Sequence, residues 1–127
     1  MIRVYGIKER LNPVKARLSD IICGCMEKAL GFPAEKRFHR FFPMEAEDFY
    51  YADGRSDAYT VIEVNMMEGR SDAAKRELIH LLFARINQEL GIAPVDVEIA
   101  ISEAPPVNFG FRGVCGDGAR LNYRVDV

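Results

Sequence analysis

The side chains with the most evident chemistry lie in a short basic stretch, whose alternating aromatic and basic residues predict a strand at Arg37–Phe42. In a regular strand Arg37 and His39 share one face and Arg40 lies on the other. An imidazole titrates near neutral pH, so His39 is a candidate for acid–base work, although a single histidine in a strand is more often structural.

The three cysteines, Cys23, Cys25 and Cys115, do not form a metal-binding pattern. Cys23 and Cys25 lie two apart in a predicted helix, so their thiols point to different faces and are poorly placed to hold one metal ion. Packing is the role that this spacing favours. The sequence also has no phosphate loop, nucleophile elbow or metal-ligand cluster, and it predicts no metal and no cofactor.

Length and composition predict one ordinary globular domain. The chain has 127 residues and a formal net charge of −2, with no basic stripe for nucleic-acid binding. No segment reaches the roughly 20 apolar residues that cross a bilayer, and no signal peptide is evident at the start. The odd number of cysteines favours a reducing compartment, so we expect a cytoplasmic protein.

The most regular stretch is a strand–helix–strand unit. A strand begins at Thr60, and Glu68–Gly69 ends it. Ser71 suits the N-cap of the helix that follows, and Gly91 suits its end. A second strand is predicted at Val95–Ser102.

A similar unit precedes it. A strand is predicted at Ile2–Ile7, and a helix that starts at Asn12–Pro13 and ends at Leu30–Gly31. Glu45–Asp57 is predicted to be a loop with a turn at Asp53–Gly54.

The two units form an internal repeat at an offset of 60. Arg10 corresponds to Arg70 and Gly31 to Gly91. We expect an α+β fold with two βαβ repeats, about residues 1–57 and 58–113, forming a four-stranded sheet with both helices on one face. Leu121, Tyr123, Val125 and Val127 alternate as a last strand within segment 114–127. The other sheet face is half apolar, so self-association is expected to cover it.

The segments MEGRSDAAKRELIHLL, GIAPVDVEIAISE and NFGFRG resemble the tautomerase superfamily, which includes the 4-oxalocrotonate tautomerase and macrophage migration inhibitory factor types. The resemblance covers roughly Ile2–Gly113 and is strongest in the second half. It implies a homotrimer with helices outside and small pockets at the subunit interfaces, near the start of the first strand. It also implies activity on small keto or enol acids.

The catalytic base of that superfamily is an N-terminal proline, and this sequence begins Met1–Ile2. A primary α-amine has an ordinary pKa of about 7.7–8.0, and both burial and a nearby arginine lower it. The Met1 amine is therefore the candidate base, although the methionine side chain occupies space that a substrate would use.

The resemblance also suggests substrate-binding residues. Arg70 matches the arginine that binds a substrate carboxylate; the alternatives are a solvated turn residue or a partner for Asp72. Arg10 holds the same place in the first repeat. Phe109 matches an aromatic pocket wall, or else packs in the core. The remaining candidates are Arg112, which could also be an ordinary loop residue, and His39 and Arg40.

Two family features are missing. Glu98 stands where the family has a second carboxylate-binding arginine, which argues against dicarboxylate substrates. Lys36 stands where malonate semialdehyde decarboxylase has an acid, which argues against that activity. The sequence thus leaves two hypotheses: a homotrimer that transfers protons on a small keto or enol carboxylate, or a non-catalytic binding protein with the same fold.

Overall fold

The computed structural model describes all residues, 1–127, around a central four-stranded sheet. The strands are β1 (Ile2–Ile7), β2 (His39–Met44), β3 (Thr60–Met67) and β4 (Val97–Ala104). They lie in the order β2-β1-β3-β4, with β1 parallel to β2, β3 parallel to β4, and the central pair antiparallel. The two predicted βαβ repeats are therefore present, and their first strands pair with each other.

Two long helices, α2 (Lys15–Leu30) and α3 (Asp72–Leu90), pack against each other and cover one face of the sheet. The Ser71 hydroxyl accepts a hydrogen bond from the Ala74 amide at 3.1 Å, as predicted for an N-cap. Gly31 and Gly91 end the helices with φ of 66° and 68°, the left-handed conformation that favours glycine. The core between helices and sheet is aliphatic, and its fully buried members include Leu18, Ile22, Ile62, Leu78, Leu82 and Val4.

The other sheet face carries no helix, and we call it the open face. Strand alternation places there the neighbours of the core-facing residues, and the Tyr5 and Phe42 rings stack with centroids 4.9 Å apart. The face is partly apolar and partly charged. Its members along the four strands include Arg3, Tyr5, Arg40, Phe42, Val61, Glu63, Asn65, Glu98, Ala100 and Ser102.

The predicted start of the first long helix is wrong. A short helix, α1 (Lys8–Leu11), follows β1 directly, and the Asn12 amide donates to the Lys8 carbonyl at 3.0 Å. Asn12 thus closes α1 with helical dihedrals, whereas an N-cap needs an extended backbone. The following helix begins at Lys15, with Val14 at its N-cap position.

The predicted last strand is also wrong. A hairpin of two short strands, β5 (Gly110–Phe111) and β6 (Val114–Cys115), is followed by the turn Gly116–Gly118. Irregular chain then forms residues 119–127, which we call the C-terminal tail. Alternation makes a strand only where a neighbouring strand offers backbone groups. Here the C-terminal tail pairs with no strand and instead contacts other parts of the chain.

Other boundaries shift by two residues. The second strand runs from His39 rather than Arg37, and β4 runs from Val97 because Pro94–Asp96 forms a 3-10 turn. None of the helices has the length and apolar character needed to cross a lipid bilayer.

Candidate functional site

The topology brings the start of β1 and the end of β3 to the same end of the sheet. Because β1 and β3 are antiparallel, Met1 lies beside Asn65, and Arg70 follows within a few residues. Since β2 is parallel to β1, His39 and Arg40 begin at this end too. The structure thus groups Met1, Arg70, His39 and Arg40, four of the seven predicted site residues.

The Met1 amine donates a hydrogen bond to the Asn65 carbonyl at 2.8 Å. Burial, followed by the positive charges of Arg3, Arg40 and Arg70, lowers the pKa of this amine from its ordinary value of 8.0. Each cause acts by disfavouring the charged form. The lowered pKa increases the fraction of the amine that is neutral at a given pH, and the neutral form is the one that can accept a proton.

Arg70 precedes the N-cap Ser71 of α3 and is only 6% exposed. Its Nη1 donates to the Met67 carbonyl at 2.9 Å, while its Nε is buried without a hydrogen-bond partner. Asp72 pairs with Lys75 at 3.4 Å instead. The two alternatives from the sequence, a solvated turn residue and a partner for Asp72, are therefore both wrong.

The surroundings of Arg70 act on the pKa of its guanidinium in opposite directions. Burial lowers the pKa of the guanidinium, and the Tyr123 phenol and the Glu103 carboxylate act in the opposite direction. A guanidinium remains charged at neutral pH under such shifts. A buried cation with a free N–H donor is suited to an anion.

The C-terminal tail lies over the same end of the sheet. The Val127 carbonyl accepts from the Ser71 amide at 2.7 Å. The Tyr123 ring packs edge-on against Phe32 with centroids 4.9 Å apart, and Lys36 Nζ lies 4.8 Å from its centroid. Sequence reasoning assigned no site role to Tyr123, because the alternation in the tail indicated a strand and not an anchor.

His39 faces the helices, not the open face. Its Nδ1 lies 2.8 Å from the Ser19 hydroxyl on α2. Burial, then the charges of Arg37 and the N-terminal amine, lower the pKa of His39 to about 4. The ring is neutral at physiological pH, and its hydrogen bond to Ser19 is of the structural kind.

Arg10 lies at the opposite end of the sheet from Met1. It pairs with Asp57 at 3.5 Å and lines a cavity of about 230 Å³ together with Gly6, Tyr59 and Thr60. It corresponds to Arg70 in the repeat, but it is exposed and ion-paired where Arg70 is buried. Arg10 therefore does not belong to the Met1 site within this chain.

Arg112 and Phe109 both lie in the hairpin region. Arg112 has a positive φ of 53°, donates to the Arg120 carbonyl at 2.8 Å and lies over Phe111. Phe109 is half-buried, and its carbonyl accepts from the Gly116 amide at 2.7 Å. These contacts hold the hairpin and the turn after it, and Arg112 is not among the arginines that act on the Met1 amine.

Arg3 also lies at this site, although the sequence did not indicate it as a site residue. It lies on the open face beside Arg40 and near the Met1 amine. No motif marks it, because its position follows from strand pairing between distant parts of the chain.

A protein-family model described as "Tautomerase enzyme" matches residues 36–112, which is more than half of the chain. The chain belongs to this tautomerase family. The match spans β2, β3, α3, β4 and β5 and includes Arg70 between β3 and α3, but it does not include Met1 or β1.

Solved structures of other tautomerase-fold proteins match nearly the whole chain. A malonate semialdehyde decarboxylase is 25% identical with a TM-score of 0.80, covering 87% of this chain and 89% of its own. A fused 4-OT described as an asymmetric trimer is 23% identical with a TM-score of 0.80, covering 91% and 95%. A protein of the cis-3-chloroacrylic acid dehalogenase family is 17% identical with a TM-score of 0.79, covering 90% and 81%. The predicted α+β fold is confirmed.

Proposed function

We propose that this tautomerase family member binds a small keto or enol carboxylate beside Met1 and catalyses proton transfer on it. The observation that carries the proposal is the environment of the Met1 amine, which is partly buried, hydrogen-bonded to Asn65 and close to three arginines. Because the pKa of this amine is lowered, more of it is in the neutral form that can act as a base.

The reaction is a ketonisation. The neutral Met1 amine takes the proton of the enol hydroxyl, the carbon–oxygen bond becomes a carbonyl, and the resulting ammonium returns a proton to the carbon of the former double bond. Arg70 binds the substrate carboxylate, and its buried Nε, which has no hydrogen-bond partner, supplies the free N–H donor. The C-terminal tail, with Tyr123 beside Arg70, covers this arginine, so a carboxylate reaches it only if the tail is displaced.

We also propose that the protein is a homotrimer. The open face has exposed apolar side chains such as Phe42, at 39% exposure, and a sheet face without a helical layer favours association. The fused 4-OT structures with the same fold are described as trimers, which supports the same assembly here. Sedimentation of a particle of three times the 14.4 kDa chain mass is the expected result, and a stable monomer would contradict it.

A second candidate function is a non-catalytic binding protein. Two observations favour it: the sequence has methionine where the family base is a proline, and Arg70 is covered by the C-terminal tail with one guanidinium nitrogen committed to Met67. In that case the same pocket binds a carboxylate without turnover.

Ketonisation assays with phenylenolpyruvate and 2-hydroxymuconate separate the two candidates. The purified protein is compared with an Arg70→Lys variant, with an Arg76→Lys variant as the matched control on the exposed side of α3. Catalysis predicts activity that falls in Arg70→Lys, persists in Arg76→Lys and is lost when the N-terminal amine is acylated. Background activity in every sample supports the binding protein, and full activity in Arg70→Lys removes Arg70 from the mechanism.

A further inference from the structure

The C-terminal tail lies along the backbone just before α3. The Val127 carbonyl accepts from the Ser71 amide at 2.7 Å, and the Val127 side chain packs against the hydrophobic core. Val125 lies so close to Gly69 that a Cβ built on this glycine would be 3.0 Å from Val125 Cγ1. The φ of Gly69, 135°, also favours glycine at this position. The tail is thus held on both sides of Arg70, by contacts that all lie within one chain.

Tyr123 connects the C-terminal tail to Arg70 and to the segment after α2. Its phenol lies beside the Arg70 guanidinium, and its ring packs edge-on against Phe32 with centroids 4.9 Å apart. Lys36 Nζ lies 4.8 Å from the centroid of the same ring. Edge-on aromatic packing and a cation near a ring are both attractive, so Tyr123 anchors the tail.

Arg70 is covered while the C-terminal tail is in place. The residue is 6% exposed, its Nη1 donates to the Met67 carbonyl at 2.9 Å, and its Nε is buried without a partner. A buried donor without an acceptor costs free energy, so the covered arginine is incompletely satisfied. A carboxylate bound there supplies the missing acceptor, but the tail must first leave. The tail and an acid ligand therefore exclude each other at Arg70.

We propose that the C-terminal tail is autoinhibitory: it competes with small carboxylate ligands for Arg70 and is released when one binds. The inference rests on the proposed function, which places the ligand carboxylate at Arg70. The protein then has a closed state, with Tyr123 at Arg70, and an open state that binds the acid. Because only the open fraction binds, the apparent affinity is lower than that of the open state by this fraction. A change that weakens the docking of the tail should strengthen binding.

The first test is the affinity for sorbate, a stable monocarboxylate without an enol group. Calorimetric titration compares the unmodified protein with Tyr123→Ala, which removes the anchor, and with Val125→Ser, which loosens the tail at Gly69 and keeps Tyr123. Both variants should bind sorbate about tenfold more tightly. Tyr50→Ala, at a tyrosine that is 89% exposed, should bind sorbate as the unmodified protein does.

The second test uses the unmodified protein and does not depend on the folding of a variant. Arg124 lies between Tyr123 and Val125, so docking of the tail restrains the backbone that trypsin cleaves there. Saturating sorbate should speed cleavage after Arg124, because it releases the tail. A ligand ordinarily slows proteolysis, so the sign of the change separates autoinhibition from a lid that closes over the ligand. In Arg70→Met, sorbate should leave the cleavage rate unchanged.

Unchanged or weaker sorbate binding in both Tyr123→Ala and Val125→Ser overturns the autoinhibition. Slower cleavage after Arg124 in the presence of sorbate overturns it as well, since the tail then closes over the bound acid. Sorbate binding that is detected only in the two variants supports it.

Autoinhibition and the proposed function fail separately. Tighter sorbate binding in the two variants without turnover of phenylenolpyruvate or 2-hydroxymuconate supports autoinhibition and contradicts catalysis. Turnover with the same KM in the variants and the unmodified protein supports catalysis and contradicts autoinhibition. If none of these proteins binds sorbate, both fail, because both require a carboxylate site at Arg70.

Discussion

The Met1 amine nitrogen lies 2.8 Å from the backbone carbonyl oxygen of Asn65, and the Asn65 amide donates in return to the Met1 carbonyl at 2.8 Å. This pair of hydrogen bonds extends the antiparallel pairing of β1 and β3 to the first residue. The amine is therefore held in the sheet. Its bond to Asn65 uses one N–H and leaves the lone pair of the neutral form available for a proton.

We expect the Met1 amine to titrate below 8.0 in the folded protein. The rate of acylation of this amine, followed by mass spectrometry against pH, measures the midpoint. Since nearby positive charge lowers the pKa, Arg40→Gln should move the midpoint upward, and Arg76→Gln should leave it unchanged. A midpoint at the ordinary value would remove the amine from any role as a base.

Arg70→Met should affect binding far more than stability. The buried guanidinium has an Nε with no partner, so its removal relieves a desolvation cost that offsets the lost bond to Met67. We expect the free energy of unfolding to change by less than about 1 kcal/mol in urea titrations. Affinity for sorbate, a six-carbon diene with one carboxylate, should be lost. Unchanged sorbate affinity in a folded Arg70→Met variant would contradict the role of Arg70.

Stability should depend on pH through His39. Its pKa is lowered to about 4 in the folded chain from an ordinary value of 6.5. Between these two values the unfolded chain binds a proton that the native ring does not, so stability falls as the pH falls. This group alone should cost about 2 kcal/mol between pH 7 and pH 5.

Urea titrations of His39→Gln at the two pH values isolate this contribution. Glutamine keeps a hydrogen-bonding group near Ser19 but does not titrate, so the variant should lose less stability on acidification than the unmodified protein. His80→Gln, on the exposed side of α3, is the matched control. An identical pH dependence in His39→Gln would show that another group causes the loss.

Tyr123 should hold the C-terminal tail in place. It packs on Phe32 and lies near Lys36 and Arg70, so Tyr123→Ala should release the tail. The Ser71 amide, which donates to Val127, should then exchange with deuterium faster. Tyr50→Ala, at a tyrosine that is 89% exposed, should leave the exchange unchanged. If Ser71 remains equally protected in Tyr123→Ala, the tail is held by other contacts.

The second repeat shows how far local signals reach. The helix α3 begins after Ser71 and ends before Gly91, as predicted, because an N-cap and a left-handed C-cap are set by residues within one turn. Asn12 was an equally local indication of an N-cap, but that prediction was wrong because the preceding residues Lys8–Leu11 already form a helix. A local signal predicts a boundary only when its neighbours permit it.

The candidate site was predicted only in part. Arg70 and Met1 came from the family resemblance, and the structure brings them together. Arg3 and Tyr123 could not be found, because their positions depend on strand register and on the path of the tail. Both are long-range features that residue spacing does not encode.

The two repeats differ in the chemistry of the nitrogen atom at corresponding positions. At the offset of 60, the residue that corresponds to Met1 is Val61, whose nitrogen is a peptide amide within β3. An amide nitrogen has no available lone pair for protons, so the Arg10 end of the sheet cannot reproduce an amine-dependent reaction however similar its backbone becomes. Joining two copies into one polypeptide thus limits titratable α-nitrogens to one per chain, and active-site titration of the assembled protein should count one reactive centre for every two βαβ units.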